Sequence, residues 1–372
     1  MSPFDEAFRR AGQVLEREAR SARRDQERAL RFLDLPPARR ELLQVNGPPC
    51  GRGAIHVFLS AAARARPHDL LDAIDLAGRA VRVAQQVGDG AERAIAAAEL
   101  GNLYRIRGDH AAAERLLGRA RTLAAAGGAD PLDVARIESL RGSLLSDQRR
   151  FDQALVALRR ATRIYARIEQ TPALCLTLAK LSAVLGEAGQ GHEAVATGAE
   201  AWKVARALGD PASSLLALHN IVHGLIEADL LVVAADYLEI ARPLYGEYCD
   251  PATTLRHDWL EARLALGRGQ FVEAHGLLVD VRNGLARRGE GYEWVLASVH
   301  LAMAATGAGY LAEVAALAAR LEAPCRKLGL DGQSLHTLRV VHRVSLREAL
   351  DFLGALLVSV RLLPIRPVPV PL

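Results

Sequence analysis

The sequence predicts an all-α chain built as a solenoid of antiparallel helix pairs, and three observations carry that expectation. Hydrophobic residues make up 50% of the 372 positions, yet aromatics only 5%. The apolar share is dominated by Ala and Leu, which favour helices, rather than by the β-branched and aromatic residues that strands prefer. Small residues recur at a fixed spacing along most of the chain. Helix starts and helix breaks recur at that same spacing.

The first fifty residues stand apart. Phe4, Phe8, Ala11 and Leu15 have helical spacing. The run Leu33-Asp34-Leu35-Pro36-Pro37 ends that helix, Ala38 to Gln44 is long enough for a short second one, and Pro48-Pro49 breaks the chain again. Residues 1–50 are therefore expected to form a helical cap, because the end of a stacked array must cover an apolar face.

Residues 51–330 carry the period. Ala113, Ala154, Ala194, Ala234 and Ala274 follow one another at steps of 41, 40, 40 and 40, and Val314 takes the next step. Seven residues further on lies a second series of Ala120, Ala161, Ala201, Ala241, Val281 and Leu321. Three residues before the first series come His110, Phe151, Gly191, Leu231, Phe271 and Leu311. The pairs Asp130-Pro131, Thr171-Pro172, Asp210-Pro211 and Asp250-Pro251 share a phase. An Asp or Thr there is expected to cap a helix, with Pro in the first turn where its missing N–H costs nothing. Mid-repeat breaks at Gly108, Gly189, Gly269 and Gly309 supply residues able to end a helix in a left-handed conformation. Each repeat thus reads as helix, turn, helix. Residues 51–90 form a degenerate repeat, 91–330 six clear ones, 331–363 a degenerate repeat or capping helix, and 364–372 a Pro-rich tail.

The stretch Leu100-Gly101-Asn102-Leu103-Tyr104, followed by Gly108-Asp109 and then Ala113, Leu117 and Ala120, resembles the tetratricopeptide consensus. The usual repeat has about 34 residues; one of 40 makes each helix about three residues, or roughly 4.5 Å, longer. That longer form is similar to the repeat arms of bacterial transcription and signalling regulators. The resemblance implies a right-handed superhelix, with Gly101 where the helices of a repeat touch and Ala113 and Ala120 where neighbouring repeats close up. It also implies that the first helix of each repeat lines a concave groove. The groove row is then Asn102 and Arg105, Arg136, Ser139 and Ser143, Lys180 at the edge, His219 and His223, and Arg256, Trp259 and Arg263. That row is polar, partly basic and without an acidic member. Arginine holds carboxylates bidentately and tryptophan anchors apolar side chains. The row fits an acidic or carboxyl-terminal peptide segment; the alternative is a solvated face of an Arg-rich chain. Histidines that gain charge below about pH 6.5 would make such binding tighter in acid.

Other chemistries find little support. A net charge of +4 and a pI near 9.0 are mild for this length, and aromatics are not interleaved with basic residues, so no nucleic-acid partner is expected. Cys50, Cys175, Cys249 and Cys325 are scattered, which suggests neither a zinc site nor a disulfide framework. Gly51-Arg52-Gly53 is too short for a phosphate loop. His219, His223 and Glu227 have metal-ligand spacing on one helical face, but a chance pair of histidines is the better reading, so no metal or cofactor is assigned. Trp202 and Trp294 are expected to pack the core, and Tyr237, Tyr245 and Tyr248 to fill space between repeats. The apolar run Leu350–Leu363 is too short and interrupted to span a membrane. It reads as a capping helix with a loose end beyond Pro364, or else as a docking strip. No leader is visible, so the cytoplasm is the expected compartment. The functional expectation is a non-catalytic scaffold that binds a protein or peptide in its groove. The alternative is a regulatory sensor arm responding to a small effector or a partner.

Overall fold

The structure, a computed structural model, describes residues 3–35, 51–127, 129–248, 250–341, 344, 346–365, 368 and 370. The expected helix at 38–44, the Pro pairs at 36–37 and 48–49, Cys50 and Cys249 lie outside the described residues, as do the side chains of Phe4, Phe8, Ala11 and Leu15. Among the described residues every regular element is a helix. The chain divides into two compact lobes, Met1–Leu144 and Leu145–Leu372.

The first lobe opens with α1 (Pro3–Leu33), followed by α2 (Gly53–Ala65), α3 (Leu70–Val87), α4 (Gly90–Ile106) and α5 (His110–Ala126). Helix α6 (Pro131–Asp147) carries the boundary. The second lobe contains α7 (Phe151–Arg167), α8 (Thr171–Glu187), α9 (Gly191–Leu208), α10 (Pro211–Glu227), α11 (Leu231–Glu247), α12 (Pro251–Gly267), α13 (Phe271–Arg288), α14 (Gly291–Gly307), α15 (Leu311–Leu328), α16 (Gly332–Val340) and α17 (Leu346–Leu362).

The period of the sequence is the period of the fold. His110, Phe151, Gly191, Leu231, Phe271 and Leu311 are each the first residue of the second helix of a repeat. Both alanine series, with Val314, Val281 and Leu321 in their later places, are completely or almost completely buried. Helices of 17 or 18 residues, about 26 Å long, pack at those small side chains. Asp210 and Asp250 cap α10 and α12 by accepting backbone N–H bonds, as expected. Thr171 does not cap α8: it is the first helical residue, Gln170 precedes it, and its hydroxyl turns back to the Glu169 carbonyl.

A left-handed residue occurs at every mid-repeat break. Gly108, Gly189, Gly269 and Gly309 have positive φ, and Arg149 (φ 60°) and Asp229 (φ 58°) take the equivalent places in the repeats between them. A residue with a Cβ is strained there, by about 1–3 kcal/mol, and persists where its surroundings over-determine it.

Helix α17 packs chiefly on α14 rather than on its sequence neighbour α16. Its buried face is Ala349, Leu353, Leu356, Leu357 and Val360, and it belongs to the same core as Val295 and Ala302 of α14. Beyond it, Val368 is 5% exposed and enters that core as well. The expected loose end is therefore corrected: apolar side chains in the Pro-rich stretch are fastened to the second lobe. No helix among the described residues is long and apolar enough to cross a membrane.

Candidate functional site

A cavity of about 250 Å³ lies inside the second lobe. Its walls come from the first helices of three repeats, from the turn before α7, from the end of α8 and from the chain around α17. His219 and His223 of α10 enter it one turn apart, and Gly186 of α8 leaves room for the His223 ring, since a Cβ there would press on Nδ1. Arg256, Trp259 and Arg263 of α12 share the next face. Tyr292, Glu293 and His300 of α14 follow, and Arg361 and Ile365 complete the lining.

Arg149, the left-handed residue before α7, is the hub of one wall. Its side chain is 5% exposed. One Nη donates to Glu187 Oε2 at 2.5 Å, and the other to the Tyr292 hydroxyl at 2.6 Å. Its guanidinium also stacks over the rings of Phe151 and Tyr292. The Tyr292 hydroxyl in turn donates to the Val360 carbonyl at 3.1 Å. The backbone strain at Arg149 thus aims a guanidinium that four groups hold in place.

Glu227, the last residue of α10, anchors the opposite wall. One carboxylate oxygen accepts from Arg263, the other from Arg361 at 2.9 Å. Both oxygens are engaged by guanidiniums, so Glu227 does not extend the two histidines into a metal-ligand set. Two guanidiniums share one carboxylate. Burial, with Arg361 nearby, drives Arg263 down to about 10 against the pull of Glu227. Burial pushes the Glu293 carboxyl up, reinforced by Glu290.

The histidines are neutral elements of this wall. Burial lowers His219 to about 4, with Arg256, Arg263 and His257 adding to the effect. His223 and His300 are driven well below the ordinary histidine value by burial and then by Arg263 and Arg361. His219 Nδ1 is hydrogen-bonded to the Tyr245 hydroxyl at 2.8 Å, and the Trp259 indole N–H donates to His300 Nδ1 at 3.3 Å. The expectation that His219 and His223 gain charge near pH 6.5 is corrected: burial, and then the arginines of the same wall, oppose a further proton.

Five of the eleven groove residues expected from sequence meet here: His219, His223, Arg256, Trp259 and Arg263. Lys180 is half-buried and does not line the cavity. Asn102, Arg105, Arg136, Ser139 and Ser143 belong to the first lobe. There Arg105 donates to Asn102 at 3.1 Å, Arg136 pairs with Glu99 at 2.7 Å, and the Ser143 hydroxyl donates to the Ser139 carbonyl at 3.2 Å. Arg136 alone of these lines a separate first-lobe cavity. The row without an acidic member is also corrected, since Glu187, Glu227 and Glu293 stand among the arginines. Trp294 is buried as expected, and Trp202 packs edge-on against Tyr237. Tyr245 does more than fill space, because it holds His219.

Sequence reasoning missed Arg149, Glu187, Tyr292, His300 and Arg361. Two of them carry signals. Arg149 stands where sister repeats have glycine. Asp147, Glu187 and Glu227 recur at 40-residue steps at the ends of α6, α8 and α10, a place where the helix dipole disfavours negative charge.

No protein-family model matches the sequence, and no curated protein matches it. Solved structures do. A Rap protein complexed with competence and sporulation factor superposes with a TM-score of 0.63 at 13% identity, over 83% of this chain and 87% of that one. Aspartyl phosphate phosphatase F from Bacillus subtilis gives 0.60 at 14% identity, over 79% of each chain. A signal transduction ATPase with numerous domains from Pyrococcus horikoshii, which carries a tetratricopeptide repeat sensor, gives 0.53 at 15% identity, over 82% of this chain and 49% of that one. At such identities the likeness is one of fold. The 40-residue helix-turn-helix period, the buried alanine ladders and these neighbours together establish a repeat protein with the tetratricopeptide-type fold.

Proposed function

We propose that this protein is a non-catalytic interaction scaffold and that the cavity of its second lobe receives the acidic end of a partner polypeptide. The observation that carries the reading is the surplus of guanidinium. Arg263 and Arg361 share the single carboxylate of Glu227, and Arg256, exposed at the rim, has no ion pair among the described residues. Trp259 and Tyr292 supply aromatic surface beside them. A carboxylate entering there gains charge-assisted hydrogen bonds in a site that is already partly dry. His219 and His300 each have Nδ1 engaged inside the wall, by a tyrosine hydroxyl and by an indole N–H, which suits a fixed binding surface. A Rap protein of this fold is known with a bound factor, which supports a ligand-holding role, while another chain of this fold is named a phosphatase; fold alone does not decide between them.

The cavity volume favours a second reading as well. At about 250 Å³ it is slightly below the usual range of roughly 300–1,000 Å³ for small-molecule sites. That suits a chain terminus with one or two side chains, and it also suits a small carboxylate effector acting on a regulatory sensor arm. Fluorescence polarisation with labelled acidic peptides, with free or amidated carboxyl termini, separates the readings from each other when run beside thermal shifts with small dicarboxylates. Arg256→Ala is expected to weaken the true ligand about tenfold or more, with binding stronger at low salt. Because the histidines stay neutral, acidification to pH 6 should not tighten it. A ligand that binds Arg256→Ala as well as the parent does not use this cavity.

A further inference from the structure

Most charges of the second-lobe cavity are matched inside its wall. Arg149 is paired with Glu187, and Arg263 and Arg361 share Glu227. Two lining groups are left over, Arg256 on α12 and Glu293 on α14, neither with an ion pair among the described residues. One is a guanidinium and the other a carboxyl.

Glu293 is also out of step with its repeat. It is the third residue of a first helix, and at 40-residue steps the same place carries Asp133, Ala173, Ser213 and Thr253. In α10 and α12 that side chain is spent on the cap: the Ser213 and Thr253 hydroxyls donate to the carboxylates of Asp210 and Asp250. Even an acid there can be used so, since Glu92 of α4 closes a capping box with Asp89. Helix α14 has no such cap. Glu290 precedes it without a capping bond and pairs with Arg288 instead. Glu293 is therefore free of capping duty and lines the cavity. The first turn of a helix ordinarily favours a negative charge. Burial outweighs that and pushes the Glu293 carboxyl up.

Helices α12 and α14 pack directly on one another. Packed helices lie about 8–10 Å apart axis to axis, so one small unit between them can touch side chains from both. A cavity of about 250 Å³ has room for little more than such a unit.

We infer that the ligand of this cavity is amphoteric, offering a carboxylate to Arg256 and a cationic nitrogen to Glu293. The inference rests on the cavity being the acid-binding site proposed above and adds a second contact to it. Arginine attracts carboxylates in general; Glu293 disfavours those that bring no cation, because two acids would then face each other. A free α-amino acid carries both groups, and so does a chain that ends in lysine.

Two matched pairs of probes, each differing by one ammonium, test this on the full chain. Fluorescein-labelled peptides ending in lysine or in norleucine, both with free carboxyl termini, are compared by fluorescence polarisation. Glutamate and glutarate are compared by thermal shift. In at least one pair the cationic member should bind the parent about tenfold or more tighter, and Arg256→Ala should weaken it. The pair that discriminates identifies the source as a chain terminus or a free amino acid. In Glu293→Gln, which keeps the size of the side chain, the preference should collapse, and Glu293→Asp should keep part of it. The parent comparison needs no variant, so it decides even where a substitution disturbs the lobe. If both members of both pairs bind alike and all depend on Arg256, the acid-binding reading stands and the amphoteric ligand is overturned. A preference that survives intact in Glu293→Gln overturns it as well, since the cation then sits elsewhere. If no probe binds the parent, the acid-binding reading fails and this inference fails with it.

Discussion

The inner positions of the two lobes obey one repeat period and yet differ in how their charges are settled. In the first lobe the expected groove residues are satisfied locally: Arg105 by Asn102, Arg136 by Glu99, Ser143 by the Ser139 carbonyl. In the second lobe two guanidiniums share Glu227, Arg149 is strained into place, and three histidines stand neutral beside arginines. The difference does not come from the repeat. It comes from residues that interrupt it, above all Arg149 in a glycine position and Arg361 from outside the clear repeats. A repeat fixes where side chains point, and departures from it decide which of them are left with chemistry to do.

The sharpest way to break that comparison is to remove one carboxylate from each lobe. Glu227→Gln leaves Arg263 and Arg361 without their shared counter-charge, and breaking a buried pair costs about 3–5 kcal/mol. Glu99→Gln loses a pair whose arginine is 52% exposed, and such pairs contribute about 1 kcal/mol or less. Urea denaturation followed by far-ultraviolet circular dichroism reads both. All three tryptophans, Trp202, Trp259 and Trp294, lie in the second lobe, so their fluorescence isolates the larger effect. Equal losses would mean that the two lobes settle their charges alike.

What the lobes share is tested by overpacking. Ala194→Leu or Ala234→Leu in the second lobe and Ala113→Leu in the first each insert bulk at a fully buried contact, and each is expected to cost about 1–3 kcal/mol. An unchanged denaturation midpoint for any of them would place that alanine off the helix–helix contact.

Those alanines also show why the fold was legible in the sequence. A repeat packs mainly against its neighbours, so the constraint on Ala154 recurs at Ala194 and Ala234 and is written as a period. The cavity is not written that way. Arg149 and Tyr292 are bonded across 143 positions, and Glu227 and Arg361 across 134, with no recurrence to betray either pair. Glu227 was legible as a residue sharing a helix face with His219 and His223, but its partners were not. The charge state of the histidines was hidden for a different reason: it depends on burial and on Arg361, neither of which the spacing of α10 records.

The histidines give the next contrast, a dependence on pH. His219 has a folded value of about 4 against an ordinary 6.5, so the unfolded chain binds more protons between those limits. Its contribution is complete above about pH 6.5 and is lost as the pH falls toward 4. At about 1.4 kcal/mol per unit, the second lobe should be about 2 kcal/mol less stable at pH 5 than at pH 7 from His219 alone, with His223 and His300 acting in the same direction. The expected groove row of the first lobe contains no histidine. Tryptophan-detected urea midpoints at the two pH values measure the effect, and His219→Asn should flatten part of it. A midpoint that rises on acidification would mean the histidines are charged in the fold.

The smallest expected effect on stability is the most telling about function. Arg136→Ala in the first lobe and Arg256→Ala in the second both remove an exposed guanidinium, and each should shift stability by about 1 kcal/mol or less. On stability the two substitutions should be hard to tell apart. They should part on binding. Arg136 is already paired with Glu99, so its loss removes nothing that an acidic ligand in the second lobe would use. Arg256 has no ion pair among the described residues and faces the same cavity as Arg263 and Trp259, so its loss removes the rim charge that a carboxylate meets on entry. Titrating a labelled acidic peptide against both variants should give parental affinity for Arg136→Ala and about tenfold weaker binding for Arg256→Ala. The reverse result would move the site to the first lobe, where Arg136 lines a cavity with Arg52 and His56.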